Sequence, residues 1–67
     1  MKLKDEVINT IKEDKNLFID LQRLLNTTEG TMYRHLRKNT ARMIGMDVLS
    51  VISNHVGKPV ESLTTNN

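Results

Sequence analysis

Apolar residues recur at helical spacing in several separate stretches of this chain. Leu3, Val7, Ile8 and Ile11 lie on one side, with Lys4, Asp5, Glu6, Lys12 and Glu13 opposite. That pattern predicts an amphipathic first helix. Glu13-Asp14-Lys15-Asn16 interrupts it, and Asn16 is the expected cap of the next helix. Leu17, Phe18, Leu21, Leu24 and Leu25 make a second stripe, with Asp20, Gln22 and Arg23 outward. The run stops at Asn26, a residue that tolerates a left-handed backbone. Thr28 then caps a third helix, and Glu29 suits the positive end of its dipole. That third helix has only a narrow apolar seam, Met32 and Leu36, and ends near Lys38 or Asn39.

Asn39 to Met46 contains Gly45 and shows no clear period, so it reads as a loop, with Met43, Ile44 and Met46 as core pegs. Asp47 is the expected cap of a fourth helix whose core stripe is Leu49, Ile52 and Val56. Gly57-Lys58-Pro59 is a strong stop, a glycine for the left-handed cap and then a proline that cannot continue. Val60 and Leu63 suggest a last helical turn folded back on the core. Thr64 to Asn67 reads as a frayed polar tail. No segment alternates like a strand between hairpin turns, and no internal repeat is visible. The expectation is an all-α, compact bundle of five short helices. It is a single domain over residues 1–63, with residues 64–67 as tail.

Size and composition narrow the function. A chain of 67 residues without cysteine has no disulfide staple and no thiolate zinc site. A lone core of this size rarely supplies more than about 3–5 kcal/mol, so tight helical packing, a homodimer or a partner would each help. Hydrophobic residues make up 37% and aromatics 3%, too little to enclose a substrate in a large pocket. The longest apolar runs are too short to span a membrane, and the basic start of the chain has no apolar signal core behind it. The expected location is therefore cytoplasmic.

The net charge is only +2, but its distribution is uneven. Arg34, Arg37, Lys38 and Arg42 fall between Gly30 and Met46 with no acid among them. A basic segment on a nearly neutral body is an electrostatic footprint that nucleic acid explains, although a solvated surface would carry the same charges.

A short turn joining two helices, the second polar and basic, is the geometry of a helix-turn-helix. Leu21 and Leu25 on one helix and Met32 and Leu36 on the next face one core, while Thr28, Glu29, Tyr33, Arg34 and Arg37 point away. From Phe18 to Leu63 the chain resembles the lambda-repressor-like helix-turn-helix family of phage repressors, Cro proteins and related bacterial regulators. Two pieces carry the resemblance. One is Thr31-Met32-Tyr33-Arg34-His35-Leu36-Arg37. The other is Leu49, Ile52, Val56 and Gly57, followed by Val60 and Leu63.

The resemblance implies five helices, the third of them in the major groove, and a dimer on two half-sites of a palindromic operator. It places the base-reading positions on Thr28, Glu29, Gly30, Tyr33 and Arg34, and phosphate or edge contacts on Arg37 and Lys38. The chain departs from the family in three places. Gln22 stands where a small residue, often Ala, is usual; Asn26 replaces the usual turn Gly; Phe18 occupies a position where a Gln often touches DNA. Phe18 must either pack inward with Leu17 or stack on sugar. Gln22 must turn away from the helix crossing or widen it.

The side chains suit these roles unequally. Arg34 has the fork that meets the major-groove edge of guanine. Arg37, Lys38 and Arg42 suit phosphates, which set affinity and salt dependence without reading sequence. Tyr33 fits a thymine methyl or a phosphate as well as it fits a rim over Met32. Glu29 suits either cytosine or its own helix start. Gly30 costs a helix about 1 kcal/mol, which close approach to DNA would justify and a first helical turn would tolerate. Val48, Val51 and His55 form a second stripe on the fourth helix, read here as a dimer surface; the alternative is a broad core face covering Ile44 or Val60.

His35 reads as a packing residue, and two histidines without cysteine make a poor metal site. The serines show no readable triad spacing. The expectation is a non-enzymatic regulator with no cofactor and no small-molecule substrate: a protein that binds double-stranded DNA sequence-specifically and represses transcription by occluding an operator. A protein-interaction module on the same fold, antitoxin-like or antirepressor, is the alternative; its working face would be Val48, Val51 and His55.

Overall fold

The computed structural model of the protein describes residues 1–66. Among them are four α-helices: α1 Asp5–Glu13, α2 Lys15–Leu25, α3 Glu29–Lys38 and α4 Met46–Val56. Two 3-10 turns, Ala41–Ile44 and Val60–Ser62, lie in the segments after α3 and α4. A two-residue strand near each end, β1 Lys2–Leu3 and β2 Thr64–Thr65, closes the chain on itself as an antiparallel pair, Lys2 opposite Thr65 and Leu3 opposite Thr64.

These elements correct the sequence reading in several places. The expected fifth helix is only the 3-10 turn Val60–Ser62. The fold is helical with a small strand pair rather than purely α. Thr64 and Thr65 pair with β1 instead of fraying, and Leu3 belongs to that pair and not to the first helix. Asn67 lies outside the described residues. The stretch read as a loop after α3 winds into the 3-10 turn that buries Met43, whereas Met46 is 67% exposed and is no core peg.

One residue separates α1 from α2. The Asp14 backbone amide donates to the Thr10 carbonyl at 2.9 Å, and its side chain accepts from the Leu17 amide at 3.1 Å. Asp14 therefore ends one helix and caps the next, the role expected of Asn16. Capping there starts α2 two residues earlier and puts Asn16 on its exposed first turn. Val7, Ile8 and Ile11 of α1 and Leu17, Phe18 and Leu21 of α2 are buried. Leu24 keeps 38% of its surface, so the buried stripe of α2 is narrower than its apolar spacing.

α2 packs against both α1 and α4, and the 3-10 turn Ala41–Ile44 lies against α3, α4 and β1. The core is aliphatic apart from Phe18, with Leu3, Ile11, Leu17, Leu21, Met32, Met43, Val48 and Ile52 fully covered. No charged or polar residue is buried among the described residues.

The end of α3 is fixed by a contact between residues far apart in the chain. Asn39 terminates the helix in the left-handed conformation, φ 51°. Its side-chain Nδ2 donates to the Leu3 carbonyl at 2.9 Å, and its Oδ1 accepts from the Leu3 amide at 3.2 Å. The carboxamide thus bonds the Leu3 backbone as a neighbouring strand would. On the other side Lys4 donates to the Leu63 carbonyl at 3.0 Å. An edge strand of two residues is satisfied on both flanks this way.

Asn39→Gly keeps the left-handed turn and removes both bonds, so it is expected to lower stability by about 1–3 kcal/mol. Asn39→Ala should cost about 1 kcal/mol more, because a Cβ disfavours that backbone. Urea unfolding of the three proteins measures both differences. Asn39→Gly matching the parent would show that the clamp contributes nothing.

Candidate nucleic-acid interface

α3 is bounded at both ends by a left-handed asparagine. Asn26, at φ 51°, closes α2, and its amide donates to the Arg23 carbonyl at 3.1 Å while the Thr27 amide reaches the Gln22 carbonyl at 3.2 Å. Thr28 then caps α3 as its sequence position suggests, its Oγ1 accepting from the Thr31 amide at 3.2 Å and donating to the Thr31 hydroxyl at 3.0 Å. α2 and α3 are thus joined only by the Asn26–Thr28 turn. At the other end, His35 Nδ1 lies 2.7 Å from the Thr40 hydroxyl, so the half-buried imidazole ties the last turn to the connection that follows.

Met32 and Leu36 are the buried residues of α3. Thr28, Glu29, Gly30, Tyr33, Arg34, Arg37 and Lys38 are all exposed. Positions 30, 33 and 37, and positions 30, 34 and 38, follow one another at spacings of three or four residues and form one continuous surface strip. Among the described residues, no carboxylate pairs with Arg34, Arg37 or Lys38. Their place in the second half of the helix suits the negative end of its dipole, while Glu29 suits the first turn. An ideal Cβ at Gly30 would meet nothing within 4 Å. Nothing in the free protein therefore requires a glycine there.

Tyr33 stands against Phe18, with ring centroids 5.0 Å apart and planes tilted by 39°. Phe18 is 8% exposed. Of the two roles open to it, it takes the inward one, and from there it supports the ring of Tyr33. This tilted pairing is one that aromatic rings favour. Gln22 turns outward, where with Phe18, Ile19, Glu29 and Tyr33 it lines a shallow groove of about 260 Å³. The structure thus accommodates one departure by burial and the other at the surface.

Arg42 is placed differently from the other three cations. Its Nη1 and Nη2 donate to Oδ1 and Oδ2 of Asp47 at 2.9 and 2.8 Å, a two-pronged pair. Asp47 Oδ1 also accepts from the Val48 amide at 2.8 Å. The carboxylate is thus spent on Arg42 and on its own helix. Gly45 takes the cap position of α4 expected for Asp47. A Cβ at Gly45 would lie 2.8 Å from both Arg42 Nη1 and Asp47 Oδ1, so the glycine leaves room for the pair. Of the four cations read along this segment, three have no carboxylate partner among the described residues and one is already matched.

Of the residues read as a dimer stripe, His55 is exposed and Val48 is not. Val48 is fully buried and belongs to the core, Val51 is half-buried against it, and His55 Nε2 is 2.8 Å from Asp20 Oδ2 on α2. The broad-core alternative describes Val48 and Val51 better. No group of three or more potential metal-ligating His, Cys, Asp or Glu side chains occurs among the described residues. No helix among the described residues is long and apolar enough to cross a membrane.

The sequence did not show how four residues contribute to this surface. Asn39 anchors α3, Phe18 supports Tyr33, and Lys2 and Lys12 come to lie beside the end of α3. Charge pattern signalled only the cations of α3 and Arg42, not Lys2 or Lys12.

The Arg42 hydrogen bonds lower the Asp47 pKa from its ordinary 3.8 to about 2, with the Val48 amide adding to the effect. A carboxylate shifted down stabilises the fold above its unfolded pKa and loses that contribution as pH falls through the folded value. Thermal midpoints should therefore fall more between pH 4 and pH 2 for the parent than for Asp47→Asn. The difference should be modest, because the pair is solvent-screened. Equal acid sensitivity of the two proteins would contradict this assignment.

No protein-family model, no curated protein and no solved structure matches the chain.

Proposed function

We propose that this chain binds double-stranded DNA sequence-specifically, using α2 and α3 as a helix-turn-helix with α3 in the major groove. The observation that carries the reading is the attachment of α3. Two buried side chains hold it to the core, Asn39 clamps its end, and most of its remaining surface is exposed, with three cations that have no carboxylate partner among the described residues. A helix held at one seam and basic elsewhere fits a groove lined by phosphates.

The roles follow from position. Arg34 lies mid-helix, where its fork meets the major-groove edge of a guanine. Tyr33, steadied by Phe18, offers an apolar ring to a thymine methyl and a hydroxyl to phosphate. Thr28, Glu29 and Gly30 enter the groove first, and Gly30 lets the backbone approach closely. Arg37 and Lys38 meet phosphates. Arg42 contributes only its remaining exposed edge while Asp47 holds it. Bound to an operator as a homodimer, the protein acts as a repressor of the phage repressor or Cro type by occluding polymerase. This is binding and not catalysis. With Val48 in the core, it is not available to join two copies or to serve the interaction-module alternative.

Fluorescence anisotropy on duplex DNA over a range of salt tests the reading. Arg34→Ala should cost about 1–3 kcal/mol on the preferred site and relax specificity, while Lys38→Ala should weaken all duplexes alike and flatten the salt slope by about 1. Gly30→Ala should stabilise the free protein by about 0.5–1 kcal/mol and yet weaken DNA binding. Failure of the parent protein to bind any duplex at low salt would overturn the proposal.

A further inference from the structure

We propose that a second phosphate-binding element lies outside α3, in a broad trough between α1 and the end of α3, and that it holds one backbone strand of the same DNA duplex. The proposal rests on the DNA-binding reading and extends it to residues that reading does not use. The trough has a volume of about 610 Å³. Lys2 of β1, Lys12 of α1 and Arg37 and Lys38 of α3 line it, with Asn9 among them and Asp5 as the one carboxylate in the lining.

Four cations from three separate segments converge there, and none of the four has a carboxylate within ion-pair distance among the described residues. Like charges gathered around a concave surface repel one another in the free protein and focus a positive potential into the trough. A polyanion relieves that repulsion. The trough is also continuous with the proposed interface, because Arg37 and Lys38 belong to both. A duplex that receives the exposed face of α3 in its major groove must carry a phosphodiester strand past the end of that helix. Lys2 and Lys12 flank that end and extend the row of cations toward α1. Asn9 adds a neutral amide donor for a phosphate oxygen. Asp5 opposes the strand electrostatically and sets an internal control of opposite sign.

The test measures duplex affinity against salt for the parent, the double variant Lys2→Ala/Lys12→Ala and the single variant Asp5→Asn. Thermal unfolding verifies that all three are folded; Lys2, Lys12 and Asp5 are exposed. Two lost phosphate contacts make the log–log slope shallower by about 1.8. Between 50 and 200 mM salt the parent then loses about twelvefold more affinity than the double variant. The double variant should keep the parent's sequence preference, since phosphate contacts position without reading bases. Asp5→Asn should bind more tightly than the parent. A parent that binds duplex DNA with a salt slope unchanged in the double variant would overturn the trough proposal and leave the role of α3 standing. A parent that binds no duplex would overturn both.

Discussion

The carboxamide of Asn39 ties the end of α3 to the first strand, and the placement of the whole basic surface depends on that tie. α3 contributes only Met32 and Leu36 to the buried core. Two side chains on one seam set the depth of a helix but leave it free to rock about that seam. Thr28 fixes the backbone at its start, and Asn39 adds a restraint at its end from a part of the chain 36 residues away. The same residue must adopt the left-handed backbone and present both a donor and an acceptor. Glycine meets only the first demand, and most other side chains meet neither.

The remainder of the fold supplies a platform for that helix. α2 lies between α1 and α4, and its inner face is covered by aliphatic side chains. The chain ends are paired through β1 and β2, so Leu3 is held from one side by Lys4 and Leu63 and from the other by Asn39. Polar side chains are kept out of the core, and no buried side-chain polar atom among the described residues lacks a partner. The surface is less balanced. Arg42 is neutralised by Asp47, while Arg34, Arg37 and Lys38 are not matched.

Much of the framework was legible in the sequence because it rests on local rules. Helical spacing placed the four helices, Thr28 and Gly57 marked a start and a stop, and Asn26 marked the turn before α3. What could not be read depends on contacts between distant residues. The pairing of Lys2–Leu3 with Thr64–Thr65 is too short to show alternation. The link from Asn39 to Leu3 has no periodic signature. Val48 looked free because its stripe lies beside the core stripe of α4, and only the packed fold shows the space around it to be filled. Local rules also misassigned two caps. Asn16 and Asp47 both have the right chemistry, but Asp14 caps α2, and Asp47 is drawn to Arg42 while Gly45 opens α4. The exposed strip on α3 was readable, since its narrow apolar seam leaves most of the other positions outward. Phe18 beneath Tyr33 was not resolved, because both an inward and an outward role fitted its position.

The central claim is that the exposed face of α3 reads base sequence in duplex DNA as part of a two-fold complex. Selection of bound sites from a pool of random duplexes tests it most directly. The account predicts enrichment of one palindromic site, its half-sites about one helical turn apart, with a guanine in each half-site that is no longer selected by Arg34→Ala. Recovery of unenriched sequences, or of the same site with equal stringency by Arg34→Ala, would contradict it.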